Sequence, residues 1–158
     1  MALISLSIQE AAFDAGSLQD ELFASTSGSG CIVSFTGYVR ELDSSKQSVT
    51  SLYLEHYPGM TDKAIKEILS SACKRWEIEA ISVVHRVGFL LPRHSIVWVG
   101  ASAPHRSDAF SACEFSMDYL KTRAPFWKKE ETESGRTWID SNASDTSRAE
   151  RWDSKPSV

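Results

Sequence analysis

The chain has 158 residues with ordinary apolar and charged fractions, enough for one domain with a substantial core. Seventeen basic residues against 21 acidic ones leave a net charge of −4, which argues against a general nucleic-acid binder. No apolar run approaches the roughly 18–20 residues that a helical membrane crossing needs.

The opening "MALISLSIQEAAFD" lacks a basic n-region and a long apolar stretch, so no secretory signal is expected there. Leu3, Ile4, Leu6 and Ile8 alternate as a strand does. Ser17 can cap a helix with Leu18, Leu22 and Phe23 on one side. "STSGSG" reads as a loop, and "CIVSFTGYVR" as a strand rich in β-branched and aromatic residues, with Gly37 marking a bulge or a close backbone approach. The polar stretch "ELDSSKQS" precedes a strand "VTSLYLEHY", in which Val49, Ser51, Tyr53 and Glu55 alternate with Leu52, Leu54 and His56. After the "PGM" turn, Thr61 can cap a helix over 61–76, with Ala64, Ile65, Ile68, Leu69, Ala72 and Trp76 on its apolar face. "EAISVVHRVGFL" and "SIVWVGASA" read as two strands joined through Pro92. Ser107 can cap the next helix, with Asp108 favourable at its positive end and Phe110, Cys113, Met117 and Leu120 as its buried stripe. Pro125 ends that helix, and "FWKKE" and "RTWI" can pair as a hairpin around Ser134-Gly135.

Residues 1–140 are expected to form a single domain, and residues 141–158 a polar tail with helical character near 148–152. Strand pairs separated by helices indicate an α+β fold, with helices packed on a mainly antiparallel sheet. Internal repeats are absent, as are glycine-rich loops of the P-loop or dinucleotide type.

Basic residues concentrate in the middle of the chain, from Arg40 to Lys129, and acidic ones follow from Glu130 to Asp153. A locally basic site on a mildly acidic protein suits a small anionic ligand better than a polyanion. His105-Arg106 falls between a strand end and a helix N-terminus, where free backbone N–H groups, an imidazole and a guanidinium fork can hold phosphate oxygens. His85-Arg86 ends an apolar strand, and a strand-end ion pair explains it as well as an anion site does. The four histidines lack a metal-ligand spacing, and neither metal nor cofactor is implied. The three cysteines, Cys31, Cys73 and Cys113, invite a persulfide reading, but their odd number and scattered positions on apolar elements suit buried thiols in a reducing cytosol; a cytoplasmic location is expected.

"DYLKTRAPFWKKE" places Lys121 and Lys128 on the two arms of a bend at Pro125. Two ammonium groups brought together depress each other's pKa, as burial does, and such lysines can transfer protons or hold an anion. Solvated surface charge explains the same residues equally well at this level.

Taken together, "FTGYVR", "LEHYPGM", "VVHRVGFL", "APHRSDAFSACEFSMDYLK" and "TRAPFWKKE" resemble, in order and spacing over residues 31–139, the large catalytic subunit of molybdopterin synthase, the MoaE family. The resemblance implies an α/β-hammerhead fold with an additional small antiparallel sheet. It implies a homodimer that binds one small ubiquitin-like (MoaD-like) subunit at each end, as a heterotetramer. The implied reaction moves sulfur from the partner's C-terminal thiocarboxylate to cyclic pyranopterin monophosphate, forming the molybdopterin dithiolene. It assigns catalysis to Lys121 and Lys128, and substrate binding to Arg40, His105 and Arg106. The sequence departs from the family pattern at Pro92-Arg93-His94, where glycine and an acidic residue are frequent, in the glycine-free loop over 41–48, and after Asp140, where no residue, Asn142 included, is given a role.

Overall fold

The computed structural model describes residues 1–139 and 143–153. Along the chain run β1 (Leu3–Gln9), α1 (Ala15–Ala24), β2 (Cys31–Tyr38), β3 (Val49–His56), α2 (Met60–Arg75), β4 (Ala80–Arg86), β5 (Gly88–Leu90), β6 (Ser95–Ala103), α3 (Arg106–Thr122), β7 (Phe126–Thr132), β8 (Gly135–Ile139) and α4 (Ala143–Glu150). The strands segregate into two four-stranded sheets, β1-β4-β6-β2 and β5-β3-β7-β8. Every pairing is antiparallel except β1 with β4. This is the expected α+β architecture.

Helices α2 and α3 pack side by side on the first sheet. Ile65, Leu69 and Ala72 of α2 and Ala112, Phe115 and Tyr119 of α3 meet Ile81, Val83, Val99 and Ala101 of β4 and β6. A second cluster, Val39, Val49, Leu52, Leu54, Val87 and Leu90, fills the space behind the second sheet. Phe126 packs against both clusters, so the start of β7 lies at their junction.

Local chemistry moves several boundaries away from the sequence expectation. Asp14, not Ser17, caps α1, because its carboxylate accepts the Ser17 amide at 2.8 Å. Phe23 is exposed, and Leu22 is the buried residue of α1. Gly59 precedes α2 with φ +86 and donates its amide to Asp62, which leaves Thr61 inside the first turn and completely buried. His105 is the residue before α3, so Ser107 is not its cap. Phe110 is exposed, because the buried surface of α3 runs through Ala109, Ala112, Cys113, Phe115, Ser116, Tyr119 and Leu120. Val49 is buried with Leu52 and Leu54, since the ladder to β7 shifts register between Val49 and Ser51. The bulge expected at Gly37 is present as a register shift between Gly37 and Tyr38.

The apolar run ending at Leu90 is not one strand. Gly88, at φ +88, breaks it into β4 and β5, which belong to different sheets. Among the described residues, two other than glycine have positive φ, Lys46 and Arg93, and both fall where the sequence departs from the family pattern.

Helix α4 starts at Ala143, earlier than the helical character expected near 148–152, and docks on α3. Ala149 is buried, and Trp152 sits edge-on to Trp76 and Phe115 with centroids 5.4 and 5.6 Å apart. Asp118, buried on α3, accepts from Arg148 Nε at 3.3 Å, an Arg151 guanidinium nitrogen at 2.9 Å and Trp152 Nε1 at 2.7 Å. The expected domain boundary after residue 140, and Asn142, lie outside the described residues. No helix among the described residues is long and apolar enough to cross a membrane.

Candidate active site

Lys121 lies in the last turn of α3, where the C-terminal end of the helix dipole favours a cation. Arg123 caps the helix, and Pro125 forces the chain to turn. The turn is tight, with the Phe126 amide donating to the Ala124 carbonyl at 2.9 Å. It is also pinned from outside, since Thr61 Oγ1 donates to the Pro125 carbonyl at 2.9 Å.

Strand β7 then runs beside β3, with Phe126 opposite His56, Lys128 opposite Leu54 and Glu130 opposite Leu52. Directly paired residues share a face, and Leu52 and Leu54 are core residues. Phe126, Lys128 and Glu130 therefore occupy the core-facing side of the second sheet. Trp127 and Lys129 occupy the other side, where Trp127 is exposed and the Lys129 ammonium lies 5.3 Å from the Trp138 ring centroid. The alternation thus turns a lysine inward and a tryptophan outward, the reverse of what hydrophobicity predicts.

The two arms of the bend meet, and the Lys121 and Lys128 side chains lie close enough for the charge of one to act on the other. Burial, followed by the charge of the adjacent Lys121, lowers Lys128 from 10.5 to about 7. Arg40, just beyond β2, pushes in the same direction, and Asp145 of α4 opposes it. At neutral pH a large fraction of Lys128 is a free amine held beside a cation, able to accept a proton.

Two more side chains belong to this cluster. Burial, followed by the charge of Asp43, raises Glu130, while Arg40 and Lys128 pull it down. Its position two residues after Lys128 in a strand was the signal in the sequence. His85, at the end of β4, is 7% exposed and stacks on Phe126 with centroids 3.9 Å apart and planes 14° apart. It is not half of a strand-end ion pair. Arg86 turns away and donates to the carbonyls of Glu10 and Ser95.

Lys121, Lys128 and Arg40 are thus brought together, whereas His105 and Arg106 of the same chain are not. They are exposed at the opposite end of α3 from Lys121, with fifteen helical steps from Arg106 to Lys121 corresponding to about 22 Å. Gly30 holds their approach. Its amide donates to the Ala103 carbonyl at 3.0 Å, and a Cβ there would overlap the Pro104 carbonyl.

The cysteines offer no reactive thiol at this site. Burial, then the charge of Glu114, pushes Cys113 up to about 12, and burial raises Cys73. Cys31 points its Sγ at the Ala103 carbonyl, 3.4 Å away. Among the described residues, no group of three or more His, Cys, Asp or Glu is placed to hold a metal ion.

The family model described as MoaE protein matches residues 8–123. The molybdopterin synthase catalytic subunit of Pseudomonas aeruginosa is 46% identical over 150 residues, covering 95% of this chain and 99% of that protein. The molybdopterin synthase catalytic subunit of Yersinia pestis is 54% identical over 123 residues, covering 78% of this chain and 81% of that protein. Among solved structures, the molybdopterin biosynthesis MoaE protein from Burkholderia ambifaria aligns with a TM-score of 0.82 and 45% identity, over 98% of this chain and all of that one.

Proposed function

The chain belongs to the MoaE family, and we propose that it works as the catalytic subunit of a molybdopterin synthase in molybdenum cofactor biosynthesis. It takes sulfur from the C-terminal thiocarboxylate of a small ubiquitin-like partner and delivers it to cyclic pyranopterin monophosphate, building the dithiolene. The observation that carries the site assignment is the pairing of Lys121 and Lys128 across the bend, in which one amine is depressed to about 7.

The chemistry suits that pair. A thiocarboxylate and a cyclic phosphate are both anions, and their meeting requires compensating charge in a partly dry cleft, where Coulomb terms are larger than in water. Lys121 contacts the incoming thiocarboxylate. Lys128, as a free amine, takes a proton from the pterin-side intermediate and returns it as an ammonium. Arg40 adds a fixed charge beside Lys128 and binds substrate.

His105 and Arg106 hold the phosphate in this reading. About 22 Å of helix separates Arg106 from Lys121 in one chain, so a second copy in a homodimer supplies the His-Arg pair to each lysine pair. A persulfide mechanism has less support, because burial holds Cys113 and Cys73 as thiols. The three free cysteines suit a cytoplasmic enzyme.

The test is reconstitution of the chain with thiocarboxylated partner and the cyclic monophosphate, reading dithiolene product. Wild type forms product, and Lys121→Ala and Lys128→Ala lose most of it. Normal turnover by both variants overturns the site assignment. Absence of product from wild type overturns the activity.

A further inference from the structure

His85 is a buried titratable group with no assigned part in the reaction. Three observations fix its place beside the lysine pair. It is the next-to-last residue of β4, paired with Ile8 of β1 on one side and Val97 of β6 on the other. Its ring lies flat on Phe126, and Phe126 shares the core-facing side of β7 with Lys128. Its Nδ1 lies 2.8 Å from the Arg86 carbonyl, which can only accept, so the proton is on Nδ1 and Nε2 keeps its lone pair.

We propose that His85 is a positioning residue for the reaction: a neutral, flat wall, fixed in one tautomer, that keeps water away from Lys128 on the side facing the first sheet.

The electrostatics agree with this geometry. Burial holds the imidazole far below its ordinary value, near 3, and Lys128, Lys121 and His56 each add to the depression. The groups acting on Lys128 come from four elements: Lys121 from α3, Arg40 after β2, Asp145 from α4 and the dry surroundings of β7 itself. A further cation at position 85 would add to the charge that an incoming anion must neutralise. A neutral ring leaves Lys121, Lys128 and Arg40 to set the charge, while its stacked face excludes solvent from the amine. Desolvation is the first cause of the Lys128 depression, so whatever excludes water there governs how readily Lys128 gives up its proton.

What the lysines do with that proton rests on the sulfur-transfer reading; the wall itself does not. Its test therefore needs no substrate. The full chain is exposed to a small amine-acylating reagent across pH 5.5–10, and modification of Lys128 is followed by peptide mass spectrometry, with Lys129 on the opposite face as internal reference. In wild type Lys128 becomes half-reactive near pH 7. In His85→Ala, water reaches the amine, the midpoint rises by about one pH unit, and labelling at pH 7 falls by roughly fivefold. His85→Phe keeps the flat wall and the wild-type midpoint. His85→Gln, which fills the space without stacking, shifts as alanine does and replaces it if alanine does not fold. An unmoved midpoint in the alanine or glutamine variant, or an equal shift in His85→Phe, overturns the proposal. Failure of the synthase reading shows separately, as absence of product from wild type in the reconstituted assay while the labelling shift persists.

Discussion

Thr61 Oγ1 donates to the Pro125 carbonyl and accepts the Tyr57 amide, each at 2.9 Å, so a completely buried threonine on α2 ties the bend between Lys121 and Lys128 to the start of another helix. A hydroxyl can serve both roles at once, and no isosteric apolar side chain can. Thr61→Val removes both hydrogen bonds, to the Tyr57 amide and the Pro125 carbonyl, and costs about 1–3 kcal/mol. Turnover falls further than that stability loss explains, because the lysine spacing is no longer fixed. Thr61→Ser restores both. Urea titration beside steady-state turnover checks this, and wild-type turnover in folded Thr61→Val refutes the positioning role.

Lys128→Ala removes the titratable amine and reduces turnover by roughly 10²–10⁴-fold, the range for a general acid–base group. Lys128→Arg falls as far, because a guanidinium stays charged at every working pH. Mixing Lys128→Ala and Arg106→Ala chains tests whether the site spans two copies. Each mixed dimer then has one intact site, and random exchange restores about a quarter of wild-type turnover. Recovery of no activity, with exchange confirmed by native mass spectrometry, places the His-Arg pair elsewhere.

Two buried groups make stability depend on pH. Histidine ordinarily titrates near 6.5 and His85 at about 3, so between these values the unfolded chain binds the extra proton. Stability is complete above pH 6.5 and falls as pH drops toward 3, by several kcal/mol in the limit. Lys128 titrates at about 7 when folded and at 10.5 ordinarily, so the unfolded chain again binds more protons in that window and stability rises from pH 7 to 10.5. Urea midpoints from pH 4 to 10 show both slopes. His85→Phe flattens the acid one, and Lys128→Met flattens the alkaline one and is more stable at pH 6 by roughly 1–3 kcal/mol.

Asp118 fastens the C-terminal helix. Its three donors, Arg148, Arg151 and Trp152, all come from the last described segment. Asp118→Ala costs about 2–3 kcal/mol and frees residues 143–153, which then exchange amide hydrogens and meet proteases before the rest of the domain. Uniform protection in the variant contradicts that role.

Arg93 adopts φ +72 in the turn that holds Val39 and, next to it, Arg40. Its ion pair with Glu41 is exposed and 3.6 Å long, and contributes little. Arg93→Gly relieves the left-handed strain and raises stability by about 0.5–1 kcal/mol, a gain of a few degrees in melting temperature. A lower melting temperature shows that the turn is unstrained.

The chain's periodicities were enough to determine its elements and its class. Alternating Leu3 to Ile8, the apolar stripe of α2 and the turn at Ser134-Gly135 are local patterns, and local patterns are written in consecutive residues. So was the bend at Pro125, because proline acts on its own backbone. Which lysine turns inward was legible only as an alternation, and the pairing of Lys128 with Leu54 decided it. The break at Gly88, the cap at Asp14 and the burial of Thr61 depended on partners elsewhere in the fold or on backbone angles that composition does not specify. His85 and Glu130 entered the site for the same reason: burial and charge are sums over space, and the residues that supply them, from Arg40 to Asp145, are neighbours only after the two sheets have packed.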